Sequence, residues 1–394
     1  MAIKIDTIKK EVINGRVRIS SNIYINNTPD KMFFETEEKD GKYLCEENGD
    51  AFLMGILLWA MKNHSDIYIK PPISERFLYG ITKILMPELI KMNPELGNIV
   101  IYPEKTVNKD HKIINGVVTP ISCGVDSFYT VLSNNGNDIP ETMRLTHLVL
   151  FNAGAYGDDT KISEKEFFQY MKYVQPVCKK LELPLIWVNS NLMKFFPFYY
   201  VQIHTFYNIS CALALQKLIK FFYYSSTFMT SDFEMKFLNS SYYELLIGSA
   251  LKTEGFEMIS FGGEISRFQK VEKLHKKKIF QKHLNVCVKP EEEKSGKVNC
   301  SLCHKCIRTM AALDIIGCLP GYKDVFDIDI FYKNKTFFWG RIRNKGWRTN
   351  LVITTELLEA AKKYKYRVPI LSFFWMYIIS IKNLTRRQFK RIKK

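Results

Sequence analysis

Between residues 116 and 132 the chain reads Gly-Val-Val-Thr-Pro-Ile-Ser-Cys-Gly-Val-Asp-Ser-Phe-Tyr-Thr-Val-Leu, and this stretch restricts the fold more than any other. Val117, Val118 and Ile121 are β-branched and predict a short buried strand. Phe128, Val131 and Leu132 continue at helical spacing after a turn of small and polar residues. A strand that feeds a helix through such a turn suits a parallel α/β sheet. The turn is also chemically loaded. A helix N-terminus offers N–H groups without intrahelical acceptors and the positive end of a dipole, so it favours anions. Gly124 lets the backbone approach a phosphate. Ser122 and Ser127 supply hydroxyls, and Asp126 suits a magnesium ion or a helix cap.

Residues 122–127 resemble the PP-loop, Ser-Gly-Gly-x-Asp-Ser, of the ATP pyrophosphatase superfamily, with Cys123 in place of the first glycine. The resemblance implies ATP cleavage between the α- and β-phosphates. Ser122, Cys123, Gly124, Val125, Asp126 and Ser127 would then bind ATP and its Mg2+, with Asp126 and Ser127 as the catalytic pair. It also implies an α/β fold of the adenine-nucleotide α-hydrolase-like (HUP) type, a five-stranded parallel sheet with flanking helices. A cysteine carries a Cβ, so a positive φ at position 123 would be strained.

The chain divides by pattern into four parts. Residues 1–110 alternate apolar and polar around Val17, Ile19, Ile23, Ile25 and Phe33, then show helical spacing from Asp50. They read as an accessory α+β domain without recognisable chemistry. Residues 111–286 alternate strand and helix and form the nucleotide-binding domain. Within them, residues 145–152, 185–189, 221–228 and 258–261 read as strands, and residues 164–181 and 200–219 as helices. Phe151 and Asn152 end a strand beside a Gly154/Gly157 loop. In a parallel sheet such ends gather at the ligand edge, so both are expected at the adenine. His204 and Asn208 share a helix face and form a weaker candidate pair. Gly262 and Gly263 lead into a helix with Arg267 and Lys270, which suits an anionic ligand.

Residues 287–320 form a metal-binding segment. Cys287, Cys300, Cys303 and Cys306 follow a C-x12-C-x2-C-x2-C pattern. Two-residue spacings let tight turns bring sulfurs onto one ion, and four thiolates satisfy tetrahedral zinc without an open position. A structural Zn2+ is therefore expected; an iron–sulfur cluster is the alternative, and His304 is a spare ligand. Lys294, Ser295 and Gly296 suit an exposed spacer. Residues 321–394 are a helical extension. Phe337, Phe338, Trp339, Arg341, Arg343, Trp347 and Arg348 read as core at a domain edge, with stacking on bases as the alternative. Residues 370–381 are too short to span a membrane and read as a buried helix, with membrane-surface attachment as the alternative.

The formal net charge is +17, and seven Lys or Arg crowd into the last thirteen residues, from Lys382 to Lys394. A basic chain of this kind suits an acidic ligand, nucleic acid or an anionic surface, and a basic tail is also commonly just solvated. No secretory signal segment or membrane span is evident, so a cytoplasmic location with reduced thiols is expected.

A PP-loop followed by late, close cysteines is similar to the 7-cyano-7-deazaguanine synthase (QueC-like) family over about residues 115–318. Arg308 stands where that family has an arginine shortly after its cysteines, and residues 267–274 match its helix before the first cysteine. Asn208 falls at an Arg-Asn whose arginine is missing here. Asn208, Arg267 and Lys270 are thereby implied in substrate binding. The implied activity is an AMP-forming ligase that adenylates a carboxylate or carbonyl oxygen, releases pyrophosphate and then adds a nitrogen nucleophile. Its substrate would be a small molecule or a peptide, with partner proteins or a homo-oligomer as further associations. The alternatives are a tRNA-thiolating enzyme using Cys123 or Cys178, a component of an anti-phage defence system acting on a protein or peptide, and a non-catalytic nucleotide-binding partner.

Overall fold

The computed structural model describes residues 2–157, 159–288, 296–349 and 352–392. Lys294 and Ser295 of the spacer and Lys393 and Lys394 of the basic tail lie outside them. The chain separates into two compact units. One contains Met1–Ile121, Thr130–Ser226 and Phe233–Gly262; the other contains Ser122–Tyr129, Thr227–Asp232 and Gly263–Lys394.

The first unit is built on an eleven-stranded mixed sheet. Its strands are β1 (Ala2–Ile5), β2 (Lys9–Ile13), β3 (Arg16–Ile25), β4 (Thr28–Glu37), β5 (Asp66–Ile69), β6 (Ile101–Pro103), β7 (Gly116–Pro120), β8 (His147–Asn152), β9 (Leu185–Ser190), β10 (Ile219–Ser225) and β11 (Glu257–Phe261). The spatial order is β11-β10-β7-β8-β9-β4-β3-β1-β5-β6, with β2 paired to β3. From β11 to β9 every neighbouring pair is parallel. Counted from β7, those five strands run 3-2-1-4-5 across the sheet. This is a doubly wound order, with its switch point at the carboxyl end of β7.

The sheet does not stop there. β4 pairs antiparallel with β9, Glu35 opposite Asn189 and Phe34 opposite Ser190. The strands of residues 1–110 therefore extend the same sheet and are not a separate accessory domain; an expected boundary near residue 110 is replaced by strand pairing. Both faces of the parallel part are covered. Val118, Val149 and Phe151 join the large core with Phe52 and Leu53 of α1 (Asp50–Lys62). Leu150 and Trp187 face the other way, onto Phe167. The helix α2 (Val125–Asn134) follows the first parallel strand, and α3 (Thr160–Lys180) carries Phe167. The helix α4 (Tyr200–Ala214) lies against α1, where the Ser210 hydroxyl donates to the Ala51 carbonyl at 2.7 Å. It ends five residues before the expected Ile219, because Ile219 opens β10.

The second unit is helical. Its main elements are α5 (Arg267–Leu274), α6 (His304–Ile315), α7 (Lys335–Thr349), α8 (Val352–Lys363) and α9 (Ser372–Ile392). Phe280 sits at its centre, edge-on to Phe128 at 5.6 Å and to Tyr322 at 6.1 Å. Phe338 and Trp339 are buried, as the core reading expected; the side chains of Trp347 and Arg348 lie outside the described residues. The helices α7 and α9 approach closely at Gly340, where a Cβ would stand 2.5 Å from that of Trp375.

Candidate anion and metal sites

The turn after β7 has the geometry its sequence suggests. α2 begins at Val125, and its first intrahelical bond runs from the Phe128 N–H to the Gly124 carbonyl at 3.0 Å. The preceding N–H groups of any helix have no such acceptor. Ser127 Oγ ties the turn together: it accepts from the Ser122 N–H at 3.3 Å, lies 3.2 Å from Ser122 Oγ and donates to the Gly124 carbonyl at 3.3 Å. Cys123 adopts φ 50°, the left-handed region that a glycine tolerates and a cysteine resists. Its carbonyl is pinned by the Asn285 N–H at 2.8 Å, and its side chain is fully buried.

Asp126 is surrounded by cations. Arg267 binds its carboxylate directly, and Lys270 Nζ lies 3.4 Å from Oδ1. Arg267 and Lys270 are themselves buried, at 8% and 1% exposure. Burial pushes the Asp126 carboxyl up, yet the charges of Arg267, Lys270 and Arg308 outweigh it and hold it below the usual carboxylate range. Asp126 is thus committed to two cations of its own chain. A carboxylate engaged in this way must release a cation before it can serve as a ligand to Mg2+.

Two further cations belong to this cluster. Lys305 and Arg308 project from the first turns of α6, and neither forms an ion pair among the described residues. Arg308 Nε is buried without a hydrogen-bond partner. Burial and the like charges of Arg267 and Arg308 push the Lys305 ammonium down to about 8. Burial and the Arg267 charge push the Arg308 guanidinium down as well, though it stays charged at neutral pH. The second anion in the group is Glu356 of α8. It accepts the Phe268 N–H at 2.9 Å, and burial raises its carboxyl to about 7 against the pull of Ser266, Phe268, Arg267 and Arg308. Four cations face two carboxylates, one of them easily protonated.

α6 is set by the cysteines. The sulfurs of Cys287, Cys300, Cys303 and Cys306 all lie within 4.8 Å of one another. Tetrahedral zinc, with Zn–S near 2.3 Å, needs sulfurs about 3.8 Å apart. Cys300 and Cys306 are at 3.9 Å, and Cys303 and Cys306 at 3.4 Å. Backbone N–H groups of Cys300, Cys303 and Cys306 donate to Cys287, Cys300 and Cys303 sulfurs at 3.5, 3.3 and 3.5 Å. Such bonds spread thiolate charge, and hydrogen bonds from Cys287 and Cys306 pull the Cys303 thiol down. The four cysteines can hold a metal such as zinc, with no position left open. His304 is exposed and stays outside the set. Cys303 is also the N-cap of α6, so the metal ligands and the cations Lys305 and Arg308 share one helix start. Asn285, which holds the Cys123 carbonyl, is two residues from Cys287.

The other residues expected at a ligand are engaged within the protein. Phe151 is packed in the core, 6.0 Å from the Phe222 ring. Asn152 is fully buried, and its amide is engaged on both sides, donating to Asn189 Oδ1 at 2.8 Å and accepting from Ser163 Oγ at 2.9 Å. Asn208 donates to the His204 carbonyl at 2.7 Å. His204 is held by the Tyr224 hydroxyl at 2.8 Å and by Asn239 at 3.3 Å. The pair is a packed polar contact of the sheet unit. Burial pushes the Cys178 thiol up to about 12, which weighs against a sulfur-carrying role. Sequence reasoning missed Lys305 and Glu356. Lys305 had a signal, since it lies on the helix that the close cysteines start.

No family model, no curated protein and no solved structure matches the chain.

Proposed function

We propose that this protein is an AMP-forming enzyme that cleaves ATP between the α- and β-phosphates. The observation that carries the reading is the charge imbalance: Arg267, Lys270, Lys305 and Arg308 gather at a PP-loop-like turn, where among the described residues the carboxylates of Asp126 and Glu356 and the Cys303 sulfur offset them. Buried like charges are costly unless paired, so such a cluster suits an anion richer in charge than one carboxylate. Pyrophosphate has that charge, and the α2 N-terminus and the hydroxyls of Ser122 and Ser127 suit its oxygens. The doubly wound sheet with the loop after its first parallel strand supports a HUP-type fold.

In this reaction the oxygen of a carboxylate or carbonyl attacks the α-phosphorus. The new P–O bond forms as the α–β bridge breaks, and pyrophosphate departs into the cation cluster. The cations stabilise the charge that develops on the leaving group, which is where fixed electrostatics lower a barrier most. A nitrogen nucleophile then displaces AMP from the adenylate and loses its proton, giving an amide or related product. Asp126 acts as a positioning residue: it holds Arg267 and Lys270 in place.

The test uses α-labelled ATP, magnesium and a small-molecule extract. AMP should form in an extract-dependent way. Asp126→Asn should lower its rate by about 10²–10³. ADP as the labelled product would overturn the proposal.

A further inference from the structure

α9 has two unlike sides. One is seated in the helical unit: Ser372, Met376 and Ser380 are buried, and Asn344 of α7 donates to the Met376 carbonyl at 3.2 Å and to Ser380 Oγ at 2.5 Å. The other is apolar and open. Ile370 and Leu371, which lead into the helix, are 83% and 70% exposed, and Phe374, Tyr377 and Ile381 are 61%, 55% and 62% exposed. Residues 370, 374, 377 and 381 follow the spacing of one helix face. The expected buried helix is therefore buried on one side alone. A continuous exposed apolar stripe marks an interaction surface.

The charge of the surrounding sequence restricts the partner. From Ala360 to Lys394 the sequence has no Asp or Glu and eleven Lys or Arg. A second copy would bring the same positive charge to the same face. Nucleic acid would satisfy the charge and stack on Phe374 and Tyr377, but the aliphatic Ile370, Leu371 and Ile381 offer neither stacking faces nor hydrogen bonds to bases and would stay in water. An anionic lipid surface satisfies both features: acyl chains take the apolar stripe, and headgroups take the cations. No helix among the described residues is long and apolar enough to cross a membrane. We propose that α9 attaches this protein to an anionic membrane surface, lying in its plane with Phe374, Tyr377 and Ile381 inserted.

The test is co-sedimentation of the full chain with vesicles of phosphatidylcholine alone or with about 30% phosphatidylserine, at salt of about 0.1 and 0.5 M. Binding to the anionic vesicles should exceed that to neutral ones by at least about tenfold and fall at high salt. A Phe374→Ser, Ile381→Ser double variant keeps every charge and should lose about tenfold or more, with its circular dichroism unchanged. Both changes are at exposed positions, so folding is preserved. Absence of binding at low salt, or equal binding by the variant, overturns the proposal. So does a poly-uridine complex, or a dimer, that the double variant loses in place of vesicle binding.

Discussion

Glu35 and Asp126 both face arginines, and their surroundings differ in charge balance. Glu35 in the sheet unit is 1% exposed and saturated: Arg16 at 2.8 Å, Arg18 at 2.6 Å and the Asn189 amide at 2.8 Å take its oxygens. Arg16 in turn binds Glu164 at 2.8 Å, so two cations meet two anions. Asp126 in the helical unit shares its surroundings with four cations, one easily protonated glutamate and the Cys303 sulfur. A closed polar network rigidifies a fold and leaves nothing to bind, whereas an open one stores repulsion that a ligand relieves. Buried charge alone does not mark a site; unbalanced buried charge does.

The comparison can be broken most directly at Glu35. Glu35→Ala should cost about 3 kcal/mol of unfolding free energy, the low end for a broken buried pair because both arginines keep some solvent. Pyrophosphate affinity, read by calorimetry, should not change. Arg308→Gln should do the reverse. Loss of a charged contact weakens pyrophosphate binding by about 10–100-fold. Denaturant stability should hold or rise, because a repelled cation has gone. If Arg308→Gln instead destabilised like Glu35→Ala and left binding intact, the two clusters would be of one kind.

Glu356 gives the smallest effect. Its carboxyl is raised from 4.5 to about 7, so the folded chain holds a proton there that the unfolded chain has released. Between those values stability therefore falls as pH rises, by about 1 kcal/mol or more once solvent screening is counted. Below about 4.5 the contribution is fully present, and above about 7 it is lost. Glu356→Gln should flatten that slope in denaturation midpoints measured across the window.

Local patterns were legible where one segment carries its own signal. The β-branched run at Val117 and Val118, the small-residue turn and the cysteine spacing each report a local geometry, and the φ at Cys123 takes the strained value its replacement of glycine raised. Pairing between distant segments was not legible. Nothing in Phe34 or Glu35 names Ser190 and Asn189 as neighbours, so the first hundred residues read as a domain of their own. The partners of Asn152 were illegible for a similar reason: its amide is claimed by Ser163 and Asn189, residues that sequence proximity does not identify. Arg267 and Lys270 were found from their helix, but their meeting with Asp126, Lys305 and Arg308 depends on tertiary packing.

The helical unit draws the residues of the loop, Ser122–Tyr129, together with Gly263–Lys394. During synthesis these segments appear far apart in time. Arg308 is made about 180 residues after Asp126, which at 5–20 residues per second is on the order of 10–40 s. The partners of Glu35 are complete once Asn189 has emerged. A nascent chain therefore closes its neutral network early and carries its loop without counter-charges until the final third is translated. Any nucleotide chemistry at that loop is a property of the finished polypeptide alone.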